Sequence, residues 1–205
     1  MITIAIIDDH RVVRLGLRYV LQLDPDLSLI AEADSGKSAL DLFRKQAPNV
    51  ALLDIRMPEM DGIETCAAIH DLYPEMKVIM LTTSDKEEDI YQSIQHGAKG
   101  YLLKDSDPEV ILDAIKKVSK GETYFPKYIL KQFEIRKASP SLTPRELEIL
   151  NLVSRGLTNS DISRILAISI ESTKTHLKHI FSKLDVQDRS EATALALQRG
   201  IINTP

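Results

Sequence analysis

The first 120 residues alternate short apolar runs with longer amphipathic stretches, and that alternation restricts the fold more than any other feature of the chain. The runs are ITIAIID (2–8), LSLIAEAD (27–34), VALLD (50–54), KVIMLT (77–82) and KGYLL (99–103). Most are apolar at consecutive positions, the pattern of strands covered by helices on both faces. Helical periodicity fills the intervals, near 11–23, 36–46, 63–72, 86–96 and 107–120. Five strands alternating with five helices predict a doubly wound α/β domain with a parallel sheet. Ser106 to Glu109 has the spacing of a capping box with Pro108 in the first turn, and Gly121 is placed to stop the last helix.

After residue 121 the rhythm changes. Residues 122–141 lose periodicity and carry Pro126 and Pro140, which predicts a linker with a short helix over 127–136. From Ser141 the pattern is helical only. Thr143-Pro-Arg-Glu146 is a capping box opening a first helix, with Leu147, Ile149, Leu150 and Val153 as its apolar face. A second helix opens at Thr158 and ends near Ala167, a third runs from Ser169 to about Leu184, and a fourth runs from Ser190 to Arg199 before Gly200. Four short helices, the second and third joined by a tight turn, fit a helix-turn-helix domain. The division is 1–121, 122–141 and 142–205, and 205 residues suit two domains.

No apolar run approaches the roughly 20 residues that cross a bilayer, and without a basic stretch followed by a small-residue cleavage site near Met1 no secretory signal is expected. The single cysteine, Cys66, excludes an internal disulfide framework and reads as a small residue on a helix face. A cytoplasmic protein without a membrane partner is expected. The net charge of −4 is unevenly spread: 14 Lys+Arg face 21 Asp+Glu over residues 1–120, whereas 12 face 9 over 121–205. A basic back half hints at nucleic acid.

The acidic residues of the front half fall at strand ends. In an open parallel sheet, ligands bind beyond the carboxyl ends of the strands, where strand order reverses. Asp8 and Asp9 end the first run, Asp54 the third and Thr82 the fourth, while Lys104 follows the fifth. With the flavodoxin-like order 2-1-3-4-5, the first and third strands are neighbours and three carboxylates share one cleft. Crowded carboxylates resist ionising together. A divalent cation relieves this, and oxygen ligands in a wet site favour Mg²⁺. One carboxylate then remains to act as a nucleophile and become an aspartyl phosphate, with a lysine and a hydroxyl on the transferring group.

These residues also carry a resemblance. IIDDH, LLDIRMPEMDG, MLTTSD and GAKGYLLKD resemble the receiver domain of bacterial two-component response regulators, from about Ile2 to Lys120. The resemblance implies that Asp54 accepts a phosphoryl group from a sensor histidine kinase. It implies that Asp8, Asp9, Asp54 and the backbone carbonyl of Arg56 hold Mg²⁺, that Thr82 and Lys104 meet the phosphoryl group, and that Tyr101 reports activation by its position. Asp105 stands where many receivers have proline, so no cis Lys-Pro bond is expected.

In SIESTKTHLKHIFSKL, residues Thr173, Leu177, Ile180 or Phe181, and Leu184 recur at helical spacing and are expected to face a core. Lys174, Thr175, Lys178 and Ser182 fall on the other side, where a helix in the major groove meets bases and phosphates. His176 and His179 lack acidic or cysteine partners at metal-ligand spacing. The segment LTPRELEIL…GLTNSDISRILAIS…TKTHLKHIFSKLDVQDRSEA resembles the LuxR-type helix-turn-helix of the NarL/FixJ subfamily over about 142–200. The resemblance implies base contacts from Lys174, Thr175 and Lys178, and a last helix, about Glu191 to Gln198, that pairs two copies on DNA. Thr173, at a place that is usually apolar, and Ile170, at one that is usually polar, depart from the pattern.

The function expected is a DNA-binding regulator of transcription, not an enzyme. Phosphorylation of Asp54 promotes dimerisation or frees the C-terminal domain to bind double-stranded promoter DNA, with RNA polymerase a candidate partner. The alternative is a regulator that works without phosphorylation, its receiver serving as a dimerisation or protein-binding module. A phosphatase of the haloacid dehalogenase type would want an acid where Arg56 stands.

Overall fold

The computed structural model describes residues 1–202; the last three residues of the predicted 142–205 segment lie outside the described residues. The described residues divide into two compact units, one built mainly on residues 1–132 and the other mainly on 133 onwards.

The first unit alternates as its apolar pattern requires: β1 (Ile2–Ile7), α1 (Arg11–Gln22), β2 (Leu27–Ala33), α2 (Gly36–Phe43), β3 (Val50–Leu53), α3 (Gly62–Leu72), β4 (Lys77–Thr82), α4 (Glu87–Gln95), β5 (Gly100–Leu103) and α5 (Pro108–Ser119). The sheet is parallel throughout, in the order β2-β1-β3-β4-β5. The consecutive apolar residues of β3 are all buried, because helices cover both faces. Ile4, Ile6, Leu52, Ile79, Leu81 and Leu102 pack with Leu17 and Leu21 of α1 and with Ile111, Ala114, Ile115 and Val118 of α5. Each of these leucine, isoleucine and valine side chains contributes about 1.5–3 kcal/mol by leaving water.

The α5 start differs from the sequence expectation. Its N-cap is Asp107, not Ser106, and no side chain closes a capping box there. Pro108 disfavours the helical conformation in the residue before it, so Asp107 stays extended and the helix opens one residue later. Gly121, at φ +90°, closes the helix in the left-handed conformation that suits glycine. Beyond it the chain returns along β5, where the Tyr101 amide donates to the Tyr124 carbonyl at 3.0 Å. Cys66 is buried, and burial pushes its thiol up to about 12, consistent with an inert core residue.

Helix α6 (Lys127–Ala138) follows and extends past the short helix expected over 127–136. The second unit then holds α7 (Pro144–Ser154), α8 (Asn159–Ile165), α9 (Ile170–Leu184) and α10 (Arg189–Arg199). Capping boxes open α7 at Thr143 and α8 at Thr158, and Ser169 caps α9 through the Ser172 amide. The core gathers Ile149, Leu150 and Val153 of α7, Ile162 of α8, Leu177, Ile180 and Leu184 of α9, and Ala192 and Ala196 of α10. Of the two candidates, Ile180 is the core residue, and Phe181 packs at its margin. Thr173 is fully buried, and its hydroxyl donates to the Ser169 carbonyl at 3.2 Å, so a polar residue is satisfied at an apolar place.

Glu146 ties this unit together. Its carboxylate accepts from the Thr143 amide and from Lys183 of α9, both at 2.7 Å, with only 4% of the residue exposed. Burial alone would raise its pKa, but the bonds from Lys183 and Thr143 outweigh it and hold the carboxyl below its ordinary value. We expect Glu146→Gln to cost about 2 kcal/mol near neutral pH, the scale of a charge-assisted hydrogen bond. Because the folded pKa is depressed, this stabilisation is present above the unfolded carboxylate's pKa. It is lost as pH falls through the folded one. Thermal melts of the two proteins should therefore converge in acid; a constant gap would assign the loss to packing.

Candidate functional site

The register of β1 and β3 pairs Ile7 with Leu53, so Asp8 and Asp54 leave the sheet side by side. The Asp54 amide still donates to the Ile7 carbonyl at 2.9 Å, which fixes the acid at the strand's end. Thr82 pairs with Leu103 across β4 and β5, and the Lys104 amide donates to the Thr82 carbonyl at 2.8 Å. Four of the predicted site residues are thus placed by strand register alone.

Their side chains converge. The Lys104 ammonium lies 2.7 Å from Asp8 Oδ2 and 2.7 Å from Asp54 Oδ2. Both acids are almost wholly buried. Asp54 Oδ1 accepts from the Ile55 amide at 2.8 Å. Burial pushes the Asp54 carboxyl above its usual range; Lys104 opposes the rise and Asp8 adds to it. Burial alone would lower the Lys104 ammonium, but its bonds to Asp54 and Asp8 prevail and hold it above the ordinary lysine value. The lysine stays charged and neutralises part of the acidic cluster.

Asp9 completes the cluster at its rim. One ligand atom each from Asp8, Asp9, His10 and Asp54 lie within 4.8 Å of one another, the only such group among the described residues. Three carboxylates suit a hard divalent cation, and imidazole suits softer ions better. The residues present therefore fit Mg²⁺. His10, which the sequence reading did not assign to the site, has its Nδ1 2.7 Å from Asp9 Oδ1; its position directly after the two acids in IIDDH is the signal that could have found it.

Thr82 and Tyr101 are both buried and meet at Ser84. The Thr82 hydroxyl accepts from the Ser84 amide at 3.2 Å, and the Tyr101 hydroxyl donates to the Ser84 carbonyl at 2.8 Å. Burial pushes the Tyr101 phenol up, and Asp89 adds to the rise, so it remains a donor. The Arg56 guanidinium turns to Asp89 of α4 at 2.6 Å, and the Ser84 hydroxyl donates to the same carboxylate oxygen at 2.5 Å. Sequence reasoning missed Asp89 and Ser84. Ser84 stands two residues past Thr82, where it could have been sought, whereas nothing near Asp89 announced it.

In the second unit, Lys174, Thr175, Lys178 and Ser182 are all exposed on α9; Thr175, Lys178 and Ser182 lie opposite the buried Thr173, Leu177, Ile180 and Leu184, and Lys174 lies at the flank of that row. Lys174 pairs with Glu171 at 2.8 Å, and the Thr175 hydroxyl donates to the Glu171 carbonyl at 3.0 Å. No described helix is long and apolar enough to cross a membrane.

Comparison with known proteins places this geometry in context. Residues 4–116 match the response regulator receiver domain, and residues 140–196 match the bacterial regulatory proteins of the luxR family. The chain is 40% identical over 203 residues to the nitrate/nitrite response regulator protein NarP of Escherichia coli, covering 96% of this chain and 94% of that one. It is 35% identical to the response regulator protein VraR of Staphylococcus aureus, covering 98% and 99%. Among solved structures, the response regulator ChrA of a heme-sensing two-component system is 36% identical, with a TM-score of 0.59 and 98% of each chain covered. With a receiver joined to a LuxR-type helix-turn-helix and relatives matched end to end, the chain belongs to the NarL/FixJ family of two-component response regulators.

Proposed function

We propose that this chain is a phosphorylation-gated regulator of transcription, working in the cytoplasm under a sensor histidine kinase. In this reading residues 1–121 receive the phosphoryl group, 122–141 link, and 142–205 bind promoter DNA. The observation that carries it is the Lys104 ammonium held 2.7 Å from two buried carboxylates in a three-aspartate cluster beyond the strand ends.

An Asp54 carboxylate oxygen attacks phosphorus, a P–O bond forms, and the bond to the donor's nitrogen breaks with its electron pair going to that nitrogen. Asp8, Asp9, Asp54 and the Arg56 carbonyl would hold Mg²⁺, which supplies charge neutralisation for the transferring group when bound. Lys104 exchanges its contact with Asp54 Oδ2 for a phosphoryl oxygen. The Thr82 hydroxyl, now an acceptor from Ser84, turns to donate to another. Because Tyr101 is tied to the same Ser84, movement of Thr82 frees the ring to shift, which alters the face formed by α4 and β5. That change favours a homodimer or releases the DNA-binding unit. Two copies on a two-fold axis read two half-sites, which one small module cannot. Lys174, Thr175, Lys178 and Ser182 of α9 would face the DNA.

Incubation with a labelled small phosphodonor and Mg²⁺ tests the reading. We expect one persistent acid-stable, base-labile adduct, on Asp54. No adduct supports the phosphorylation-independent regulator, and rapid release of phosphate from an external substrate supports a phosphatase. Arg56, bound to Asp89 where that class wants an acid, argues against the last.

A further inference from the structure

The DNA-facing side of α9 begins with an acid. At 100° per residue, the side opposite Thr173, Leu177, Ile180 and Leu184 carries Glu171, Thr175, Lys178 and Ser182 in one row. Glu171 is the first member of that row, in the first turn of the helix. N-terminal residues of a groove-reading helix are those that reach base edges. Its side chain is 80% exposed, and its carboxylate accepts from Lys174, itself 57% exposed, at 2.8 Å.

Against a polyanion, a carboxylate in this place is unfavourable on every duplex unless a base offers it a donor. In the major groove most edges are acceptors; the cytosine N4 amino group is the donor that matches a carboxylate. The guanine of the same pair offers O6 and N7 to a lysine. Glu171 and Lys174, already side by side, present an acceptor and a donor for one G·C pair. We propose that Glu171 is a specificity residue, accepting from cytosine N4 in the cognate site and repelling duplexes that lack it. The proposal rests on the reading that α9 lies in the major groove. It adds a repulsive element against wrong sites, which discrimination commonly needs.

A carboxylate in a first turn also interacts favourably with the helix dipole. That role moves the melting temperature and leaves base preference alone, so the two are separable. The test uses the full-length chain loaded with Mg²⁺ and beryllofluoride, as wild type, Glu171→Gln and Lys174→Ala. Each is measured on a duplex enriched by the wild type from a random pool and on a scrambled duplex, across a salt series. We expect Glu171→Gln to bind the scrambled duplex roughly three- to tenfold tighter, with a salt slope steeper by about one. Its preference for cytosine at one position should fall roughly five- to tenfold, with adenine gaining, because a glutamine amide matches adenine N6 and N7. A lowered melting temperature with unchanged scrambled-site affinity and unchanged base preference overturns the inference. If Lys174→Ala weakens binding while Glu171→Gln alters neither readout, this inference alone falls. If Lys174→Ala also leaves both duplexes unaffected, the groove reading falls and takes the inference with it.

Discussion

Asp54→Asn is expected to take up no phosphoryl group from a small donor, a loss of roughly 10⁴-fold or more, the scale on which an enzyme loses its rate with its nucleophile. The amide is nearly the same size, so packing beside the Ile55 amide survives, but it offers no anionic oxygen to attack phosphorus. It also ends the ion pair with Lys104, whose ammonium lies 2.7 Å from Asp54 Oδ2. The fold should survive, since burial and Asp8 both push the Asp54 carboxyl toward its neutral form. Removing one of two close acids leaves Lys104 to Asp8, at 2.7 Å. Intact-mass measurement and circular dichroism check both halves of this expectation. Labelling equal to the wild type would move the acceptor to another side chain.

The second large effect concerns a residue that touches no phosphate. Gly62 opens α3, and its amide donates to the Ile55 carbonyl at 2.8 Å, folding the loop back on the end of β3. A Cβ at this position would lie 1.9 Å from the Asp54 carbonyl oxygen and 2.8 Å from its carbon. These are backbone atoms and cannot rotate away as a side chain does. Gly62→Ala must push the loop off the strand end, at a cost of about 3 kcal/mol or more. It should shift Asp54 relative to Lys104, so phosphoryl uptake slows along with the loss of stability. Gly16→Ala is the control: nothing lies within 4 Å of its Cβ, and alanine in a helix interior should stabilise by about 0.5–1 kcal/mol. A Gly62→Ala protein that melts and labels like the wild type would mean that the loop moves freely.

Much of this architecture was legible in the chain because burial leaves a periodic trace. Consecutive apolar runs such as VALL mark strands covered on both faces, and strand ends then locate Asp8, Asp54, Thr82 and Lys104 with no knowledge of loops. What sequence could not supply depended on how loops run. Arg56 and Asp89 are 33 residues apart, and only the paths out of β3 and β4 bring them together. Helical spacing left Ile180 and Phe181 equivalent, and packing against α7 and α10 chose between them. The expected cap at Ser106 failed because Pro108 constrains its predecessor more strongly than a capping hydroxyl rewards.

We propose that chemistry in the acidic pocket of the receiver sets the DNA affinity of the helix-turn-helix. The direct measurement is the affinity for an enriched duplex, at fixed salt, of one preparation before and after incubation with phosphodonor and Mg²⁺, with Asp54→Asn alongside. The expected result is tighter binding for the wild type and no change for the variant. An unaltered wild type, or a variant that tightens equally, contradicts it.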